Sequence, residues 1–191
     1  MSIGMMASLL IWLCGSVLGQ SLEAPLANSR VDRVLAVVEE SLVTEWDLRL
    51  EQALLPYDAI DCLPLTAPQA DLLQMTEDRR ILNRLAGSRS LYLPSETEVT
   101  VRKDALKKAM GEPLFLQFLL SQGLNEKELT QILRERITAE RYIERNLGRA
   151  LKTETRPEQE AWDIFYRHRF QVWMKERRKG VRIRRVAPGT P

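Results

Sequence analysis

The chain has 191 residues, with 28 Lys and Arg against 26 Asp and Glu, a formal charge of +2, one histidine and two cysteines. That length suits one domain with a real core. A single histidine closes off most histidine-based catalysis and most transition-metal sites, which need three or four ligands at suitable spacing.

The first 22 residues carry no Asp, Glu, Lys or Arg. An apolar run from Met5 to Leu13 leads to Val17 and Gly19, which fit the small residues wanted before a signal-peptidase cut. The pattern predicts a signal peptide over 1–19, cleavage near Gly19/Gln20 and export to the periplasm. Kept uncleaved, the same run would act as an anchor, although it is short of the ~20 apolar residues that a span needs. No later run is long enough to span, so no stable membrane insertion is expected after cleavage. The exported part keeps only Cys62, which leaves no internal disulfide. Residues 20–30 read as a flexible leader, 31–186 as one domain and 187–191 as a tail.

Val34 to Val38 is a continuous apolar run, which predicts a short strand buried on both faces. Glu39-Glu40-Ser41 turns the chain and Leu42-Val43 returns it, without the Gly or Asn that a tight hairpin prefers. Thr44 with Asp47 forms a capping-box pair for a helix running to about Leu55. After a Pro-punctuated loop, a second helix is expected from about Thr66, with Leu72, Met75, Ile81, Leu82 and Leu85 on its apolar side and an end near Ala86. Ser95 with Glu98 opens a third helix, running to about Met110. Gly111-Glu112-Pro113 breaks it, and a short Phe/Leu helix ends at Gly123.

Asn125 with Glu128 caps the next helix, in which Leu129, Ile132, Leu133, Ile137, Ile143 and Leu147 recur at helical spacing. A last helix is expected from Thr155, with Trp162, Phe165, Tyr166, Phe170, Trp173 and Met174 as its stripe and Gly180 as its stop. Val181 and Ile183 then alternate with Arg182 and Arg184, the period of a half-exposed strand. A lone strand leaves its backbone unpaired, and the other strong strand is Val34–Val38. The chain ends are therefore expected to meet in one small antiparallel sheet, in a mainly α fold of five to six helices.

No catalytic residue stands out. His168 lies between two arginines on a helix, and neither a G-x-S-x-G elbow nor a phosphate-binding glycine motif is present. No metal or cofactor is expected. The segment from Arg167 to Arg185 holds nine Lys and Arg against one Glu. It reads either as a solvated face with a charge-guarded edge strand or as a contact for an acidic partner or lipid surface, with Arg182 and Arg184 as candidate partner-binding residues. Export argues against nucleic acid. Met110 to Leu120 is too apolar all round for a one-sided surface helix. Either it is fully buried, or part of it forms a binding groove with Met110, Leu114, Phe115, Phe118 and Leu119 as candidate peptide-binding residues.

Taken in order, "VDRVLAVVEESLVTEWDL", "RRILNRL", "PSETEV", "GLNEKELTQILRERITAERYI" and "WMKERRKGVRIRRV" resemble the core module of SurA-type periplasmic chaperones. The resemblance covers most of Val31–Leu147 and again about Trp162–Val186. In that family an N-terminal strand-turn-strand leads into helices, and a distant C-terminal helix and strand return to pack on them. Full-length relatives carry parvulin-type prolyl isomerase domains between the two parts. Here about a dozen residues, Gly148 to Glu160, occupy that place, and the parvulin histidines have no counterparts, so isomerase activity is not carried over. The resemblance implies an ATP-independent holdase that takes extended, unfolded outer-membrane protein segments into an apolar groove. The other reading open to the sequence is a non-catalytic envelope module that docks one folded partner through the basic C-terminal segment.

Overall fold

The computed structural model describes residues 32–57, 71–148, 151 and 159–187. The expected signal segment, the leader, Cys62, the helix start near Thr66, the start at Thr155 and residues 188–191 lie outside them. β1 (Val34–Val38) and β2 (Ser41–Thr44) are followed by α1 (Glu45–Leu54), α2 (Leu72–Ala86), α3 (Glu96–Met110), α4 (Glu112–Gln122) and α5 (Glu126–Ile143). A π-helical turn (Glu144–Gly148), α6 (Gln159–Arg178) and β3 (Ile183–Arg185) complete the order. The fold is mainly α, with a small antiparallel sheet.

The caps set the helix starts. Thr44, Ser95 and Asn125 each form a full capping box with Asp47, Glu98 and Glu128. At Asn125 the two reciprocal bonds measure 2.8 and 2.9 Å. Such a pair satisfies two of the four N–H groups that a helix start leaves open. Asp71 caps α2 at Leu72 by accepting from Leu73 and Gln74. Gly123 ends α4 in the left-handed region at φ 65°, where a Cβ is costly.

The sheet order is β2-β1-β3, and both pairings are antiparallel. The N-terminal hairpin and the C-terminal strand thus meet on β1, as the sequence pattern implies. Ala36 and Val38 are buried, but Leu35 and Val37 are only half-buried. The expectation of a strand buried on both faces is corrected: one face packs inward, and no described element closes over the other. The turn without glycine places Glu39 at φ 55°, a conformation that costs a non-glycine residue about 1 kcal/mol or more. Contacts at the same residue offset that cost. Glu39 N–H donates to Arg182 O at 2.8 Å, and the Glu39 carboxylate meets Arg84 at 2.8 Å and accepts from Arg182 N–H at 3.0 Å.

Two apolar clusters build the interior. One joins the sheet to α2, α6 and the C-terminal half of α5 through Ala36, Val38, Ile81, Leu82, Ile143, Phe170 and Met174. The other joins α1, α3, α4 and the N-terminal half of α5 through Leu50, Leu54, Leu106, Phe115, Leu129 and Leu133. Among the described residues, α5 is the only helix with fully buried residues in both. Arg136, 1% exposed, sits on α5 between Leu133 of one cluster and Ala139 of the other. Glu51 on α1 reaches Arg136 at 2.7 Å and Arg79 on α2 at 3.1 Å. Charges therefore tie three helices together at the seam between the clusters.

A second charged tie holds the returning C-terminus. Arg185 makes a two-bond contact with the fully buried Glu77, at 2.8 and 3.0 Å. Arg178 donates to Asp78 at 2.7 Å. Both carboxylates belong to α2. Burial pushes the Asp78 carboxyl up to about 6, although Arg178 opposes the shift.

Candidate functional site

α4 runs the sequence EPLFLQFLLSQ with almost no polar side. Packing divides it. Phe115, Phe118 and Leu119, at spacing i, i+3, i+4, turn into the core at 1, 8 and 7% exposure. Leu114, Leu116 and Leu120 stay out at 52, 50 and 82%. Beside them is an open depression of about 230 Å³ lined by Ala53, Tyr57, Met110, Leu114 and Phe118, among others. A second depression of about 340 Å³ lies around Trp46, Leu124 and Ile132.

The two hollows share one wall. Gln122 lines both, and its carbonyl accepts a 2.8 Å hydrogen bond from the Trp46 indole N–H. That bond fastens the end of α4 to the start of α1. Trp46 and Ile132 also line a third, more enclosed space of about 190 Å³ that leads to the Glu51–Arg136 seam. The result is a run of linked depressions, apolar at α4 and charged at the seam.

Of the five candidate peptide-binding residues, Met110, Leu114 and Phe118 line the first depression. Phe115 and Leu119, like Met110 and Phe118, are buried members of the core, and neither Phe115 nor Leu119 lines the first depression. Their spacing on α4 matches the face that must pack on α1, α3 and α5, so they serve the core. Lys107 lies 5.6 Å from the Phe115 ring centre and pairs with Glu112 at 2.8 Å, an ion pair that raises its pKa. Leu116 and Leu120, the more exposed pair at i, i+4, belong to the same outer surface.

Arg182 and Arg184 lie apart from α4, on the segment that forms β3 beside β1, whose buried residues belong to the other apolar cluster. Arg182 is 81% exposed, with its guanidinium 3.9 Å from Glu39. Arg184 is exposed opposite Val37. Four other basic residues of this segment have partners: Arg177 stacks on Trp173 at 3.7 Å, Lys179 meets Glu176 at 2.8 Å, and Arg178 and Arg185 hold the α2 carboxylates.

No protein-family model matches the chain, and no curated protein matches it. Among the described residues no group of three or more His, Cys, Asp or Glu is placed to hold a metal. No described helix is long and apolar enough to cross a membrane. His168 is exposed on α6.

Sequence reasoning passed over the burial of the charged residues Asp47, Glu51, Glu77, Asp78, Arg79 and Arg136. Their signal was positional. Asp47, Leu50, Glu51 and Leu54 fall at i, i+3, i+4, i+7, and Arg136 falls three after Leu133 and four after Ile132. Those are slots of the apolar stripe, so the charges there had to be buried and paired.

Proposed function

We propose that this chain is a non-catalytic, exported holdase that shields extended apolar segments of unfolded polypeptides along α4 and the depressions beside it. The observation that carries the reading is the split of α4: three leucines half-exposed or more, next to a hollow floored by Met110 and Phe118. An apolar helix that leaves such a patch open is a contact surface in want of an occupant. Leucine and methionine side chains adapt to varied partners better than stiff ones.

The magnitudes fit reversible holding. Full burial of one leucine side chain is worth about 1.5–3 kcal/mol. The exposed fractions of Leu114, Leu116 and Leu120 leave roughly 4 kcal/mol still to be gained, which the cost of association offsets in large part, so the hollows must add to it. A client held that weakly leaves without ATP. The resemblance to SurA-type chaperones and the apolar N-terminal segment favour the periplasm and unfolded outer-membrane proteins as place and clients.

The test uses the full chain against an unfolded outer-membrane protein diluted from urea. Light scattering should fall at near-equimolar chain, and the L114D/L120D variant should lose most of that effect while keeping its helical circular dichroism. A photo-crosslinker at position 120 should capture many unfolded clients. Unchanged scattering at excess chain, or a double variant as active as the parent, sinks the reading.

A further inference from the structure

The sheet has an edge that no described residue covers. β3 is the outer strand of the order β2-β1-β3, and among the described residues nothing pairs with its far side. In an antiparallel ladder alternate residues turn both backbone groups toward the partner strand. Val186 N–H donates to Leu35 O at 2.8 Å, and Glu39 N–H to Arg182 O at 2.8 Å. Arg182, Arg184 and Val186 therefore face β1 with their backbones, and Ile183 and Arg185 turn theirs to the open edge.

Side chains along this strand alternate in role. Ile183 and Arg185 belong to the inner face, where Arg185 is fixed by the buried Glu77. That anchor holds the edge rigid from below. Arg182, Arg184 and Val186 belong to the outer face, beside Val37, Leu35 and the 52% exposed Leu42. Among the described residues no carboxylate lies within ion-pair distance of Arg184, and Arg182 has only a 3.9 Å contact with Glu39. The outer face thus reads cation, cation, apolar at every second residue along an unpaired edge.

We infer that β3 accepts an added antiparallel strand from an acidic partner, an extended segment with an apolar residue followed at the next two alternate positions by carboxylates. Backbone groups of Ile183 and Arg185 pair with the incoming strand, and its carboxylates sit beside Arg182 and Arg184. Strand addition joins main-chain bonding, which ignores sequence, to alternate side chains, which read it. A charged edge that only repels neighbours would guard against other copies of this chain, but these two arginines leave a complementary acidic strand free to dock. The surface lies on elements other than α4, so it stands or falls apart from the holdase reading.

The test measures binding of fluorescent ten-residue peptides to the full chain by anisotropy. One peptide carries valine followed at the next two alternate positions by glutamates, the order an antiparallel neighbour presents to Val186, Arg184 and Arg182. An isomer of equal composition carries the glutamates side by side, which sends them to opposite faces. The alternating peptide should bind at least tenfold tighter than the isomer. Backbone N-methylation at its ladder positions should abolish binding. R184E alone should weaken binding several-fold and R182E/R184E tenfold or more, and a lysine-alternating peptide should bind the doubly reversed chain. Equal binding of the isomer or of the N-methylated peptide overturns strand addition. Failure of the peptide while vesicles rich in anionic lipid bind through the same arginines assigns the surface to lipid and overturns it equally.

Discussion

Replacing Glu51 by Gln should be among the most damaging single changes in this protein. Glu51 is 6% exposed, and its carboxylate is shared by Arg136 at 2.7 Å and Arg79 at 3.1 Å. At an effective dielectric of about 20, charges some 3 Å apart attract by about 5–6 kcal/mol before desolvation is counted. Desolvation of the buried ions opposes most of that gain, and removing one member of a buried pair costs about 3–5 kcal/mol. A domain holds about 5–15 kcal/mol in all, so E51Q should lower the urea midpoint sharply or leave the chain partly unfolded. Replacing all three residues, E51L/R79M/R136M, removes both the attraction and the desolvation cost. Its stability should lie near that of the parent or above it by about 1–4 kcal/mol. Urea unfolding followed by circular dichroism decides. A Gln variant within 1 kcal/mol of the parent, or a triple variant as weak as the single one, refutes the role given to the seam.

Asp78 gives a pH dependence opposite to the usual carboxylate. Its folded pKa is raised from 3.8 to about 6 by burial, so between these values the folded state binds more protons than the unfolded one and stability falls as pH rises. From pH 7 to pH 5 the parent should gain about 1–2 kcal/mol from this group, and D78N should lose that slope; an unchanged slope in D78N removes Asp78 as its source. The exposed carboxylates Glu96, Glu98 and Glu126 are instead held low by their hydrogen-bond and ion-pair partners. Their contribution is lost only as pH falls below about 4.5, outside that window. N125A should cost about 1 kcal/mol by opening the α5 capping box, with N125S close to the parent; equal stability of N125A and the parent would show that the cap is not needed. F115A should cost about 3–5 kcal/mol and L120A less than 0.5 kcal/mol, because Phe115 is 1% and Leu120 82% exposed; comparable losses in thermal melts would contradict the division of α4.

The helix starts were legible because a cap is a local device. Thr44–Asp47, Ser95–Glu98 and Asn125–Glu128 each need only four residues to be recognised. The joining of β1 to β3 was legible by elimination, since a strand needs a partner and few strands were on offer. The division of α4 was not: an all-apolar helix has no polar side to mark which residues face inward. Only the positions of α1, α3 and α5 decide that Phe115 and Leu119 pack while Leu120 does not. Buried charges escaped for a related reason. Helical spacing reveals which face Arg136 and Glu51 occupy, but only the fold brings residues 85 positions apart to 2.7 Å.

The central strand is finished by a segment made long after it. β1 finds β2 within a few residues, yet its other neighbour is separated from it by nearly the whole sequence. During synthesis the helices through α5 can form and cluster while one flank of β1, and the α2 carboxylates Glu77 and Asp78, wait. A ribosome adding ~5–20 residues per second keeps them waiting for several seconds, exposed to competing strands. Closure of that flank by β3, clamped through Arg185 to Glu77, is then a late, long-range step of the kind that slows folding. It also makes the C-terminal segment a timer: until it arrives, the nascent chain is itself a client for the kind of holding proposed for the finished one.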